Sequence, residues 1–162
     1  MEMKPIIVYT DGACSNNPGG PGGWAATLNF DERYDVISGN DESTTNNRME
    51  LTAVIKAIQY LENKHYKNII INSDSAYVVN GLNKGWVHEW ANRGWKTKQG
   101  KDIANSDLWK ELYELCTMKD LKLTINKIPA HSGHTFNEIA DDEAKKEVEY
   151  AKRKLQSKQL YD

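Results

Sequence analysis

Apolar positions along this chain follow two rhythms, short alternating or solid runs that suit strands and stripes three to four residues apart that suit helices. Ile6 to Tyr9 is β-branched or aromatic throughout and predicts a strand buried on both faces, running out at Asp11 into a glycine-rich loop. Trp24 to Phe30 and Tyr34 to Asn40, around the polar turn Asp31, Glu32 and Arg33, predict two more strands in an antiparallel meander with the first. A helix is expected from Met49 to about Asn63, with the stripe Leu51, Val54, Ile55, Ile58 and Leu61 inward. Asn68 to Ser73 then predicts a strand that ends, like the first, on an aspartate, Asp74. Short helices follow over Ala76 to Asn80 and around Trp86 and Trp90, then a helix capped by Ser106 and running to about Cys116, with Leu108, Leu112 and Leu115 inward. Leu121 to Ile128 alternates as a last strand, and a helix from about Phe136 carries the stripe Ala140, Ala144, Val148, Ala151 and Leu155.

This order predicts an α/β fold. Its five-stranded mixed sheet joins a three-strand antiparallel meander to two parallel strands, with helices on both faces. Two apolar strands joined through a helix imply a right-handed parallel crossover, which places both carboxyl ends at one edge of the sheet. Ligand sites of such sheets lie at that edge, and here it carries Asp11 and Asp74. Glu50 shares a helix face with Ala53, Val54 and Ala57 and is expected in the first turn, where an acid favoured by the helix dipole is the plainer alternative. Three carboxylates converging without a cation would repel one another, so a divalent metal is the economical explanation. Asp141 borders the last helical stripe; by itself it reads equally as an exposed helix charge beside Asp142.

Composition alters this picture only locally. The 162 residues hold 21 basic and 23 acidic side chains, a net charge of -2, so the chain as a whole does not advertise a nucleic-acid partner. A basic patch does appear from Lys84 to Lys101, where Trp86, Trp90 and Trp95 alternate with Lys84, Arg93, Lys96, Lys98 and Lys101 against one acid, Glu89. Cations for phosphates mixed with flat rings suit nucleic acid; a small helix burying its indoles beside a solvated loop suits the pattern as well. Cys14 and Cys116 match no zinc spacing, and His131 with His134 lacks further ligands of the usual types. The length suits one domain over residues 1–155 with a short polar tail at 156–162. With no signal-peptide layout and no apolar run of membrane length, the expected setting is the cytoplasm, away from membranes.

Taken together, several motifs resemble bacterial-type ribonuclease H, type 1, over nearly the whole chain. They are TyrThrAspGlyAla at 9 to 13 with AsnProGly at 17 to 19, ThrThrAsnAsnArgMetGluLeu at 44 to 51, SerAspSer with Tyr77 at 73 to 77, TrpLysThr at 95 to 97, and HisSerGlyHis with AsnGluIleAlaAsp at 131 to 141. The resemblance implies a metal-dependent endoribonuclease that cuts the RNA strand of RNA/DNA hybrids, leaving 5'-phosphate and 3'-hydroxyl ends. It implies that Asp11, Glu50, Asp74 and Asp141 hold two Mg2+ ions, with Mn2+ as the expected substitute, and that His131 assists proton transfer or product departure. Such ions, about 4 Å apart, activate a water on one side of a phosphodiester and stabilise the leaving oxygen on the other.

The same resemblance implies that the backbone near Cys14 and the side chains of Asn17, Asn46 and Glu50 read the RNA strand, whose 2'-hydroxyls distinguish it from DNA. Asn47 would face the DNA strand. Thr45 and Arg48 lie at a DNA phosphate pocket, Trp86 and Trp90 in the DNA groove, and Lys96, Lys98 and Lys101 on a basic protrusion. Asn105 and Asn137 complete the implied nucleic-acid contacts of a monomer. The chain departs from the family pattern where Ala91 and Asn92 replace frequent lysines and Asp102 adds a negative charge, so weaker hybrid binding is expected. Ala76 is small where longer polar residues are common, and the first loop is one residue longer. The rival readings are a non-catalytic hybrid-binding module, which would ordinarily lack one of the acids, and another metal-dependent nuclease of the same superfamily.

Overall fold

A computed structural model describes residues 4–118, 120–131 and 133–161. Met1 to Met3, Lys119, Asp162 and Ser132, the last of which belongs to the HisSerGlyHis motif, lie outside the described residues. Five strands, β1 (Ile6–Cys14), β2 (Gly22–Phe30), β3 (Arg33–Asp41), β4 (Asn68–Ser73) and β5 (Lys122–Lys127), form one sheet in the order β3-β2-β1-β4-β5. The first three are antiparallel neighbours, while β1 with β4 and β4 with β5 run parallel. This is the mixed sheet that the order of apolar runs predicts. Among the described residues five helices accompany it: α1 (Asn46–Asn63), α2 (Ala76–Asn83), α3 (Trp86–Asn92), α4 (Ser106–Cys116) and α5 (Thr135–Tyr161).

One face of the sheet packs on α1, where Val8, Leu28, Ile69 and Ile71 meet Leu51, Val54, Ile55, Ile58 and Leu61 in a single buried cluster. Each such side chain contributes about 1.5–3 kcal/mol when fully withdrawn from water. The other face packs on α5 through small residues, Ala25 against Ala140 and Ala144. A Cβ on Gly23 would lie 2.3 Å from the Ala144 carbonyl oxygen, so the helix lies directly on the β2 backbone. Close approach there lets α5 deliver its polar residues to the sheet edge.

Four local expectations are corrected. β1 does not stop at Asp11; it continues to Cys14, with Asp11 opposite Ala25 and Cys14 opposite Gly22. α1 begins three residues before Met49, because the Thr45 hydroxyl accepts from the Arg48 amide and caps it there. Glu50 therefore sits beyond the first turn, where the helix dipole gives little reason for it. Ser106 is already helical; Asn105, in the left-handed region at φ 60°, occupies the cap position. Finally, Trp109, outside the expected stripe, joins Leu112 as a buried residue of α4, with Leu108 and Leu115 partly buried against the same core. The Trp109 indole donates to the Tyr77 hydroxyl at 2.8 Å and meets the Trp90 ring edge-on at 5.3 Å. Residues 156–161 continue α5.

Candidate active site

The strand register brings the two aspartates together. Thr10 opposite Ser73 is the last parallel pair of β1 and β4, so Asp11 and Asp74 are the next residues on neighbouring strands. Glu50 arrives because residue 12 is glycine: a Cβ there would lie 2.5 Å from the Glu50 amide nitrogen and the Met49 carbonyl carbon. The start of α1 thus lies against the β1 backbone beside Asp11. One carboxylate oxygen from each of Asp11, Glu50 and Asp74 falls within 4.8 Å of the other two. Asp11 and Glu50 are buried, Asp74 half-buried. Asp141 comes in from α5, paired with Lys145 one turn later at 2.9 Å.

The electrostatics of this cluster are those of acids held too close. Burial, followed by the hydrogen bond and charge of Asp141 and the charge of Asp74, pushes the Asp11 carboxyl from 3.8 up to about 7. Burial and the Asp11 and Asp74 charges hold Glu50 well above its ordinary range. Burial also raises Asp74, against the opposing charge of Lys127. Burial alone would raise Asp141 as well, but hydrogen bonds from Lys145 and Asp11 outweigh it and keep that carboxyl low. Glu50 Oε2 is buried and has no hydrogen-bond partner. A buried acceptor without a donor, beside two more acids, is the arrangement a divalent cation with hard oxygen preferences would satisfy.

The other implied site residues divide into those the structure leaves open and those it engages. His131, exposed in the loop after β5, lies close enough for its charge to bear on Asp74 and Asp141. Asn46 and Asn47 are exposed at the start of α1, and the Asn46 amide donates to Asn17 Oδ1 at 3.1 Å. The Cys14 thiol faces the carbonyls of Gly20 and Thr44, at 3.4 Å each. Lys98 and Lys101 are exposed. By contrast, Thr45 is used as the cap of α1, and Arg48 is forked onto Asp107 at 2.9 and 2.7 Å while also reaching Asn105. Asn105 donates in turn to the Tyr77 hydroxyl. Lys96 is ion-paired with Asp102. Trp86 and Trp90 are half-buried 6.3 Å apart, so the buried-indole reading holds for Trp90, which packs on Trp109.

One implied contact needs correction. Asn137 is only 3% exposed, with Oδ1 unpaired in the interior, so it offers no surface for a duplex to lie against. The residues that sequence reasoning missed are Asp107 and Lys145, the partners of Arg48 and Asp141. The spacing of Asp141 and Lys145 on one helix was the available signal for the second pair; Arg48 and Asp107 meet only through the fold.

The family model described as RNase H matches residues 3–149. A protein named ribonuclease H from Syntrophomonas wolfei subsp. wolfei is 44% identical over 146 residues, 90% of this chain and 97% of that one. Among solved structures, LC9-RNase H1, a type 1 RNase H with the type 2 active-site motif, superposes with a TM-score of 0.80 at 29% identity, covering 93% of this chain and 76% of that one. LC11-RNase H1 in complex with an RNA/DNA hybrid has a TM-score of 0.67 at 20% identity, covering 90% and 98%; at that identity the likeness speaks for the fold.

Proposed function

The chain belongs to the ribonuclease H family, and on that premise we propose that it is an endonuclease hydrolysing the RNA strand of RNA/DNA hybrids at the edge where Asp11, Glu50, Asp74 and Asp141 meet. The observation that carries this reading is the cluster of three acids within 4.8 Å, one of them with a buried and unpaired oxygen. Asp11, Glu50 and Asp74, with Asp141 beside them, would hold Mg2+. Bound there, the metal would supply an activated water and charge stabilisation for the leaving 3'-oxygen, the chemistry that leaves 5'-phosphate ends.

The chain's own residues perform the remaining tasks. Lys145 keeps Asp141 ionised, so that acid stays available as a ligand while Asp11 and Glu50 hold their protons more tightly. His131, exposed beside Asp74 and Asp141, can carry a proton between the scissile oxygen and water. Asn17 and Asn46, tied to each other at the start of α1, would meet the RNA strand at its 2'-hydroxyls. Trp86, Lys98 and Lys101 would take the DNA strand along α3 and the arm after it. Arg48 would hold a DNA phosphate only by giving up part of its fork on Asp107.

All four acids come from one chain, which supports a monomer as the working form. No helix of the described residues is long and apolar enough to cross a membrane, and the cytoplasm is the setting proposed. The test is an end-labelled RNA strand presented alone, paired to RNA and paired to DNA, with Mg2+ or with chelator. Internal cuts confined to the hybrid and to Mg2+ are expected. Binding of hybrid without cutting under any divalent ion would replace the enzyme with a binding module.

A further inference from the structure

The family match ends at residue 149, yet α5 continues unbroken to Tyr161. Residues 150–161 add about 18 Å of helix, and two of their lysines turn back onto the sheet. Lys154 Nζ donates to Asn40 Oδ1 at 2.9 Å, and the Asn40 amide donates to Glu147 Oε2 at 3.1 Å. Lys158 Nζ reaches both oxygens of Glu42, at 2.7 and 2.6 Å. Asn40 is near the end of β3, and Glu42 lies in the short connection from β3 to α1.

The opposite side of that connection is tied to the glycine-rich loop. Gly19 N donates to Thr44 O at 2.7 Å, Thr44 N to Gly20 O at 2.9 Å, and Ser43 Oγ to Gly19 O at 2.8 Å. A Cβ on Gly22 would lie 2.3 Å from Thr44 Cγ2, so there is no slack beneath the loop. Thr45 then caps α1, and the Asn46 amide meets Asn17. The connection is therefore gripped between the end of α5 and the loop that carries Asn17.

We propose that Lys154 and Lys158 are positioning residues: the end of α5 clamps the β3 to α1 connection and so fixes Asn17 and Asn46 for the RNA strand. The clamp rests on the hybrid-cleaving reading above. A connection this short passes the position of one end to the other, so holding Glu42 sets where Thr45 and Asn46 begin. Exposed ion pairs are individually weak, worth at most about 1 kcal/mol, but they count when joined in a network. Here Glu42 is the more sheltered partner, its side chain 35% exposed against 62% for Lys158, and two residues earlier Asn40 is held by a second set of contacts with Lys154 and Glu147. Interactions of that size suit alignment of a loop better than stabilisation of a fold.

The alternative, a direct meeting of Lys158 with phosphate, gives Glu42 the opposite sign, and this decides the experiment. Hybrid cleavage is measured for the full chain, Lys158→Glu, Glu42→Lys, their double variant and Lys158→Arg, with unfolding temperature and amide exchange at Thr44 and Asn46. Each single reversal should raise KM roughly three- to fivefold with kcat little changed, and the double variant and Lys158→Arg should return it close to the starting value. Exchange at the two amides should rise and recover in the same pattern. A KM that falls in Glu42→Lys, or a double variant as poor as Lys158→Glu, overturns the clamp in favour of a phosphate contact. Unchanged KM in both single variants overturns it outright. A full chain that cuts no hybrid overturns the reading beneath it, and that result is read from the unsubstituted protein first.

Discussion

The carboxylate edge of the sheet and the tryptophan-rich arm differ in how their charges are matched. At the edge, Asp11 and Glu50 lie buried close to each other and to Asp74, with one Glu50 oxygen unpaired. In the arm, Lys96 is paired with Asp102 and Trp90 packs on Trp109, and Arg48 of α1 is likewise forked onto Asp107 of α4. One region keeps an unresolved repulsion, whereas the other engages Lys96 and Trp90 and leaves Lys98 and Lys101 exposed. Unresolved charge marks where a ligand must supply what the chain does not. A settled surface binds through groups that are free or can be freed, and its strength is set by how many remain.

The sharpest break of this contrast is Asp11→Asn, which removes one acid and keeps the shape. Hybrid cleavage in Mg2+ should fall by about three orders of magnitude, measured by single-turnover kinetics. Next in size is Trp109→Ala, the centre of the settled region. With no open surface on the indole, the loss should cost about 3–5 kcal/mol in denaturant unfolding while leaving the acids in place.

A smaller effect follows from pH. An acid that holds its proton more tightly folded than unfolded removes stability as pH climbs from its unfolded value toward its folded one. With metal chelated, the protein should therefore lose stability between pH 3.8 and about 7 on account of Asp11. The loss should be at most about 4 kcal/mol, and Asp11→Asn should flatten that part of the curve in pH-resolved unfolding. The smallest effect belongs to Asp102→Asn, which frees Lys96. Hybrid affinity should rise a few-fold, and the salt slope of binding should steepen by about one charge.

The sheet was legible because its strands are written as alternating or solid apolar runs, and its acidic edge was legible because the runs of β1 and β4 each reach an aspartate, although β1 continues past Asp11 to Cys14. Their juxtaposition followed from the parallel crossover, and the register up to Thr10 and Ser73 agrees with it. What stayed hidden depends on backbone sterics or distant pairing. Asn105 caps α4 from a left-handed conformation that asparagine tolerates, which no periodicity announces. Trp109 is central because Gly81 makes room for it: a Cβ there would lie 2.2 Å from its ring. Arg48 with Asp107 and Lys158 with Glu42 join residues far apart along the chain, so spacing rules for a single helix do not reach them.

The most direct measurement is the unfolding temperature with chelator and with Mg2+, for the unsubstituted chain and Asp11→Asn side by side. If the acids are held together for a cation, Mg2+ should raise the unfolding temperature of the unsubstituted chain. Asp11→Asn should then be the more stable of the two in chelator and respond little to Mg2+. An unsubstituted chain indifferent to Mg2+, with a variant less stable than its parent in chelator, would contradict a metal site at Asp11, Glu50 and Asp74.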